Sequence, residues 1–210
     1  MMNDELKNSA ALLSTTYFGP VQWFQKLHRY GVVWMEGHDS FVKQTYRNRC
    51  VIAATHGTQT LTVPVVHDQS SVLTRDMRIS DHGNWRHLHW HALCSAYGES
   101  PFFEFYADDL APFFERRWDF LIDFNEAIMW KMCELLDLHP IVQMTENYGD
   151  TGGMEVDDFR EAIRPKHPLP DPGFAPNPYY QVFAQRNGFL PNLSILDLLM
   201  NEGNESIFYL

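Results

Sequence analysis

The opening of the chain, Ala10 to Met35, constrains the fold more than any other stretch. Ala10–Thr15 is short and apolar and runs into hydroxyls, as a buried strand does. Tyr17-Phe18-Gly19-Pro20 reads as a turn that sets Pro20 at the first position of a helix. Val21, Phe24 and Leu27 then recur three apart with Trp23 alongside, and Gly31 closes the helix. Val32-Val33-Trp34-Met35 follows as a second strand. A strand, a helix and a strand in so short a run predict a parallel pair joined by a right-handed crossover. The turn then lies where a strand ends and a helix begins. Open α/β sheets bind ligands at that end, and helix amides favour anions. Tyr17 and Gln22 are therefore candidate ligand contacts, set against a plain tight turn packed by Tyr17 and Phe18. No GxGxxG and no P-loop lysine accompanies them.

Further along, Lys43–Cys50 and Val51–Ala54 read as one strand, Thr55–Thr58 as a turn, and Gln59–Val66 as the return, with Leu61, Val63 and Val65 alternating. Pro64 places that return at a sheet edge. Helices are predicted over Trp85–Tyr97, Phe102–Asp109 and Trp118–Leu136. In the last, Leu121, Phe124, Ile128, Met132 and Leu135 form an apolar stripe. Ile141–Thr145 reads as another buried strand. From Asn147 the composition shifts, with six prolines between Pro165 and Pro178. One helical turn is expected near Asp157–Ile163 and a last helix over Leu193–Met200. The fold class expected is α/β: a mixed sheet with an N-terminal strand–helix–strand unit, a β-hairpin and a helical C-terminal half. Residues 1–146 are expected to form the mixed domain, and 147–210 a proline-rich wrap-around extension and C-terminal helix of the same domain.

Composition narrows the partners. With 27 Asp and Glu against 16 Lys and Arg, the formal net charge of −11 repels polyanions, so no nucleic acid is expected. Three scattered cysteines without a CxxC fit reduced thiols, and residues 1–9 hold no signal-peptide core. No apolar run approaches twenty residues, so no membrane span is expected and the chain reads as cytoplasmic. The apolar tail Ile207–Leu210 is expected to dock on its own domain, on a second copy as a homodimer, or on a partner enzyme.

Against that acidic background, Lys43-Gln44-Thr45-Tyr46-Arg47-Asn48-Arg49-Cys50 carries three cations and no acid. In a strand Lys43, Thr45, Arg47 and Arg49 would share a face and suit a phosphate or carboxylate. The competing reading pairs these arginines with the chain's own carboxylates. A second cluster, Arg86 to Cys94, puts His87 and His91 four apart and Cys94 three further, a usable metal-binding face without the HExxH glutamate. His89 lies on another face, either as a general base or as a satisfied core histidine. Glu104 and Asp108 share a helical face beside Phe102, Phe103, Phe105 and Tyr106, where they could orient sugar hydroxyls or accept protons.

Several blocks taken together resemble the WbqC-like protein family. They are TTYFGPVQWFQKL (15–27), KQTYRNRC (43–50), LTVPV (61–65), Arg78–Ser80 with Trp85–Trp90 and Ala96–Asp109, Tyr180–Phe183, and GFLPNLSILDLLMNEG (188–203). The resemblance implies a place in bacterial O-antigen and other surface-polysaccharide biosynthesis, with a transferase role. A sugar nucleotide would then meet Arg47 and Arg49 at its diphosphate, helped by Lys43, Tyr46 and Asn48. His89 with Glu104 or Asp108 would handle the acceptor proton. No cofactor is expected. The alternatives are a non-catalytic accessory or ligand-binding protein of the same pathway, and a metal-dependent hydrolase using His87, His91 and Cys94.

Overall fold

Every residue of the first strand, β1 (Ala10–Ser14), is buried, as befits a central strand with a parallel neighbour along each of its own edges. The computed structural model describes residues 9–66 and 72–210; the reading of residues 1–8 lies outside them. Helix α1 (Val21–Arg29) leads from β1 to β2 (Val32–Glu36), which pairs parallel to β1 from Ala10–Val32 to Ser14–Glu36. The opening is therefore the strand–helix–strand unit that the sequence predicts. Phe18 takes a positive φ of 42° in the turn, and Gly19 has no room for a Cβ, which would sit 2.4 Å from Thr16 Oγ1. That close approach lets the turn fold back on itself.

The hairpin consists of β3 (Arg49–Ala54) and β4 (Gly57–Thr62), antiparallel in register from Arg49–Thr62 to Ala54–Gly57. Its basic approach is not a strand. Lys43–Asn48 is a succession of turns with Gln44 at φ 64°. Two side chains compete with any ladder there: Thr45 Oγ1 donates to the Val42 carbonyl and Asn48 Nδ2 to the Val63 carbonyl. Lys43, Thr45, Arg47 and Arg49 therefore do not line one face: Lys43 is exposed and Arg47 buried.

A helical layer follows: α2 (Trp85–Tyr97), α3 (Phe103–Leu110), α4 (Pro112–Glu115) and α5 (Leu121–Leu135). The expected stripe of α5 packs inward at Leu121, Phe124, Ile128 and Met132. Tyr17 and Phe18 plug into this layer, with ring centroids 5.7 Å from Phe124 and 6.1 Å from Phe114 respectively. The chain then returns to the sheet through β5 (Val142–Met144), beside β2, and β6 (Val156–Asp158), beside β1. The order is β5-β2-β1-β6, all parallel. Strand β6 takes the start of the helical turn expected over Asp157–Ile163, and the turn itself follows, where the Ile163 amide donates to the Phe159 carbonyl at 2.9 Å. The two aspartates of β6 are poor strand formers, but Tyr30 donates to Asp157 at 2.7 Å and Arg160 brackets Asp158. Tertiary pairing overrides local preference there.

Residues after β6 cross the surface to a short helix, α6 (Ala184–Asn187), and to α7 (Ile195–Glu202), capped by Ser194. Asp171 ties this strap to α1 through Lys26 (2.7 Å) and Gln22 (2.8 Å). The tail docks on its own chain: Leu210 is buried and its backbone oxygen accepts two hydrogen bonds from Arg29, while Phe208 stays exposed.

Asp197 of α7 is wholly buried, accepting from Tyr179 Oη and Gln181 Nε2, both at 2.8 Å. Burial outweighs those bonds and pushes its carboxyl up to about 6. An unfolded aspartate titrates near ~3.9, so the native state binds the extra proton between these values. Asp197 therefore favours the fold below about pH 4, and that contribution is lost as pH rises through about 6, to an upper value of about 3 kcal/mol. Asp197→Asn keeps an acceptor without the charge. Its melting temperature relative to wild type should climb from pH 4 to 7; a flat difference would show that Asp197 does not titrate there.

Candidate functional site

Three of the four parallel strands, β2, β5 and β6, lead from their carboxyl ends into polar residues that line one cleft of about 600 Å³. His38, Asp39 and Ser40 follow β2, and Tyr148 follows β5. Asp158 ends β6, and Arg160 and Glu161 come next. Arg47 completes the cleft and donates to Ser14 at the end of β1 at 2.9 Å. The chain runs from β1 outward to β2 and β5, then crosses to β6 on the other side of β1. The cleft thus lies at the reversal of strand order, where open α/β sheets hold their ligands.

Beneath it, Glu36 is fully buried and every donor around it is accounted for. Oε1 accepts from the His38 amide at 2.7 Å and the Thr145 hydroxyl at 3.0 Å. Oε2 accepts from the Gly149 amide at 2.7 Å and Arg160 Nη1 at 3.0 Å. Arg160 also grips Asp158 and lies 4.8 Å from the centre of the exposed Tyr148 ring. Burial alone would raise the Asp158 carboxyl, yet the Arg160 bonds bring it below the usual aspartate value. Asp39 is buried as well, paired with Arg47 and the Thr74 hydroxyl, while Arg47 Nε has no partner. The Arg47 backbone is held in turn by Asn125 Nδ2 at 2.7 Å.

His38 carries a defined hydrogen-bond pattern. Nδ1 lies 3.4 Å from Thr145 Oγ1, whose proton goes to Glu36, so Nδ1 is the donor. Nε2 lies 2.5 Å from Arg75 Nη1. A guanidinium can only donate, so Nε2 holds the lone pair.

Residues 15–162 match the WbqC-like protein family, a span that contains every residue lining the cleft. The chain belongs to that family. The C-terminal blocks that resemble the family, from Tyr180 onward, lie beyond the matched span. No curated protein and no solved structure matches the chain.

Of the residues singled out in the sequence, only Arg47 lines this cleft. Tyr17 is buried with its hydroxyl 2.9 Å from His89 Nδ1, and Gln22 is held by Asp171 and Asn192. Tyr46 is half-buried, its hydroxyl pushed up to about 12 by burial and then by Cys50. Asn48 is committed to the hairpin, and Arg49 starts β3 with Nε buried and unpartnered. The expected proton carriers do not assemble. His89 is buried between Tyr17 and Trp85, its pKa pushed down to about 4 by burial against the raising effect of a hydrogen bond with the Thr62 backbone. Glu104 and Asp108 are exposed on α3, and Asp108 borders a different depression beside Arg116 and Lys131. The His87 and His91 rings meet edge-on with centroids 4.1 Å apart, but among the described residues no group of three His, Cys, Asp or Glu side chains is placed to hold a metal.

Sequence reading missed Glu36, His38, Asp39, Tyr148, Asp158 and Arg160. One signal was present for the first three. The run Glu36-Gly37-His38-Asp39 directly follows a strand predicted to be parallel, at the end where ligands bind. Arg160 sits in an acidic tract with no periodic pattern to mark it.

Proposed function

We propose that this WbqC-like chain is a cytoplasmic transferase acting on a sugar nucleotide or amino-sugar precursor in bacterial surface-polysaccharide biosynthesis, with that ligand in the cleft at the strand ends. The observation that carries the reading is the convergence of paired guanidinium and carboxylate groups, from the ends of β2 and β6 and the turns before β3, on one opening. Sugar hydroxyls both donate and accept, so they need charges of both signs at fixed positions, and Asp158, Glu161 and Arg160 supply them. The Tyr148 ring, 66% exposed, offers an apolar face for a sugar ring. Phosphate charge would meet the half-exposed Arg75 at the rim.

Because Tyr148 is exposed, its replacement leaves the core intact. A panel of nucleoside diphosphate sugars should include at least one that raises the melting temperature of wild type, and Tyr148→Ala should lose most of that rise. If no sugar nucleotide or sugar phosphate shifts the transition, the non-catalytic accessory reading replaces this one.

A further inference from the structure

The geometry points to His38 as the proton acceptor of the cleft, with Arg75 as a removable cap that a phosphate-bearing ligand draws off; this deepens, and rests on, the reading of the cleft as a site for such a ligand. Three links fix the imidazole. The buried Glu36 carboxylate takes the Thr145 hydroxyl proton at 3.0 Å. The same hydroxyl oxygen faces His38 Nδ1 at 3.4 Å, and the His38 amide is itself held by Glu36 at 2.7 Å. The ring is thereby oriented with Nδ1 protonated and its basic nitrogen, Nε2, on the other side. This is the arrangement a general base requires, a lone pair presented by an imidazole whose other nitrogen is pinned through a carboxylate.

Nε2 is not free, because Arg75 Nη1 donates to it. That contact sets a cation on a neutral acceptor, a weak use of a guanidinium compared with a phosphate oxygen. Arg75 is also loosely tethered. Its side chain is 52% exposed, and its other charged partner is Asp76 at 3.6 Å, itself 57% exposed. The remaining charges near His38 are committed elsewhere: Asp39 to Arg47 and Thr74, and Arg160 to Glu36 and Asp158. An anion entering beside His38 therefore finds Arg75 as the nearest mobile cation, and moving it uncovers Nε2.

In the transfer step, the O–H or N–H bond of the acceptor breaks and its proton passes to Nε2. The pair left on oxygen or nitrogen forms the bond to the transferred group. The bond from that group to its phosphate breaks, and its pair stays on the phosphate oxygen beside Arg75. His38 ends as an imidazolium with Nδ1 still on Thr145, and charge is conserved.

The cap can be read without knowing the substrate. The probe is diethyl pyrocarbonate, with modification at His38 followed by peptide mass spectrometry and His56, exposed in the hairpin turn, as internal reference. Arg75→Ala should speed reaction at His38 roughly tenfold, the value of one charge-assisted hydrogen bond. Inorganic pyrophosphate should speed wild type toward the variant rate and leave Arg75→Ala unchanged. Nitrogen-15 spectra of the free protein should show the His38 proton on Nδ1. Equal rates in wild type and variant, slowing by pyrophosphate, or a proton on Nε2 would each overturn the assignment. A missing sugar-nucleotide response with the Arg75 effect intact removes the proposed ligand but supports the cap. The reverse combination retains the ligand and removes the cap.

Discussion

Asp39→Ala is expected to cost about 3–5 kcal/mol of stability, because it strands the Arg47 guanidinium in the interior. Asp39 and Arg47 are both buried, and besides Asp39 the Arg47 guanidinium donates to Ser14 Oγ, while its backbone carbonyl accepts from Asn125. The Thr74 hydroxyl loses its acceptor in the same substitution. The cause is separable from simple loss of packing. A buried ion pair carries little net stabilisation against apolar residues of similar volume, so Asp39→Ala with Arg47→Met should recover most of the loss. Urea denaturation of wild type, both single variants and the double variant closes the cycle. A double variant as unstable as Asp39→Ala would mean that the cost is a cavity and not an unpaired charge.

The second large effect is expected at Glu36. Its two oxygens accept four hydrogen bonds, two from backbone amides, one from Thr145 and one from Arg160. Glutamine preserves the shape but turns one oxygen into a donor. That group must then face either the His38 amide and Thr145 hydroxyl or the Gly149 amide and Arg160. Donor meets donor in both orientations, and the charge that balances Arg160 is gone. A loss of about 2–4 kcal/mol is expected for Glu36→Gln. Hydrogen exchange would localise it: protection of the Gly149 amide should fall in the variant by more than global destabilisation explains. If Gly149 exchanges only with global unfolding in both proteins, Glu36 is not what holds that loop.

These two carboxylates also explain what could be read from the sequence and what could not. The parallel pair, the hairpin, α2 and the stripe of α5 are local patterns, in which periodicity and turn residues name the element without knowledge of its neighbours. Strand β6 is not local. Val156-Asp157-Asp158 has no strand signature, and its pairing comes from β1, far earlier in the chain. The same holds for Arg47. Its charge was conspicuous in sequence, but the turns that bury it and the aspartate that neutralises it depend on where β2 ends. His89 illustrates the converse. A histidine among arginines in sequence becomes a packed core group once Tyr17 reaches it. The cleft itself was partly legible, since strand ends in a parallel sheet are ligand positions and Glu36–Asp39 occupy one.

Strand β1 is walled on one side by a neighbour close in sequence, Val32–Glu36, and on the other by Val156–Asp158. Its Ala10 must therefore find Val156 across most of the chain, after the hairpin and the helical layer have been made. Contacts of such span are slow to form, because the loop they close is long. Until they form, an apolar strand edge stays open to any other extended chain. The cleft shares that schedule: its last wall is built by the same late strand, so the opening is not complete until residue 161 is in place. Completion of the sheet and acquisition of the site are one event.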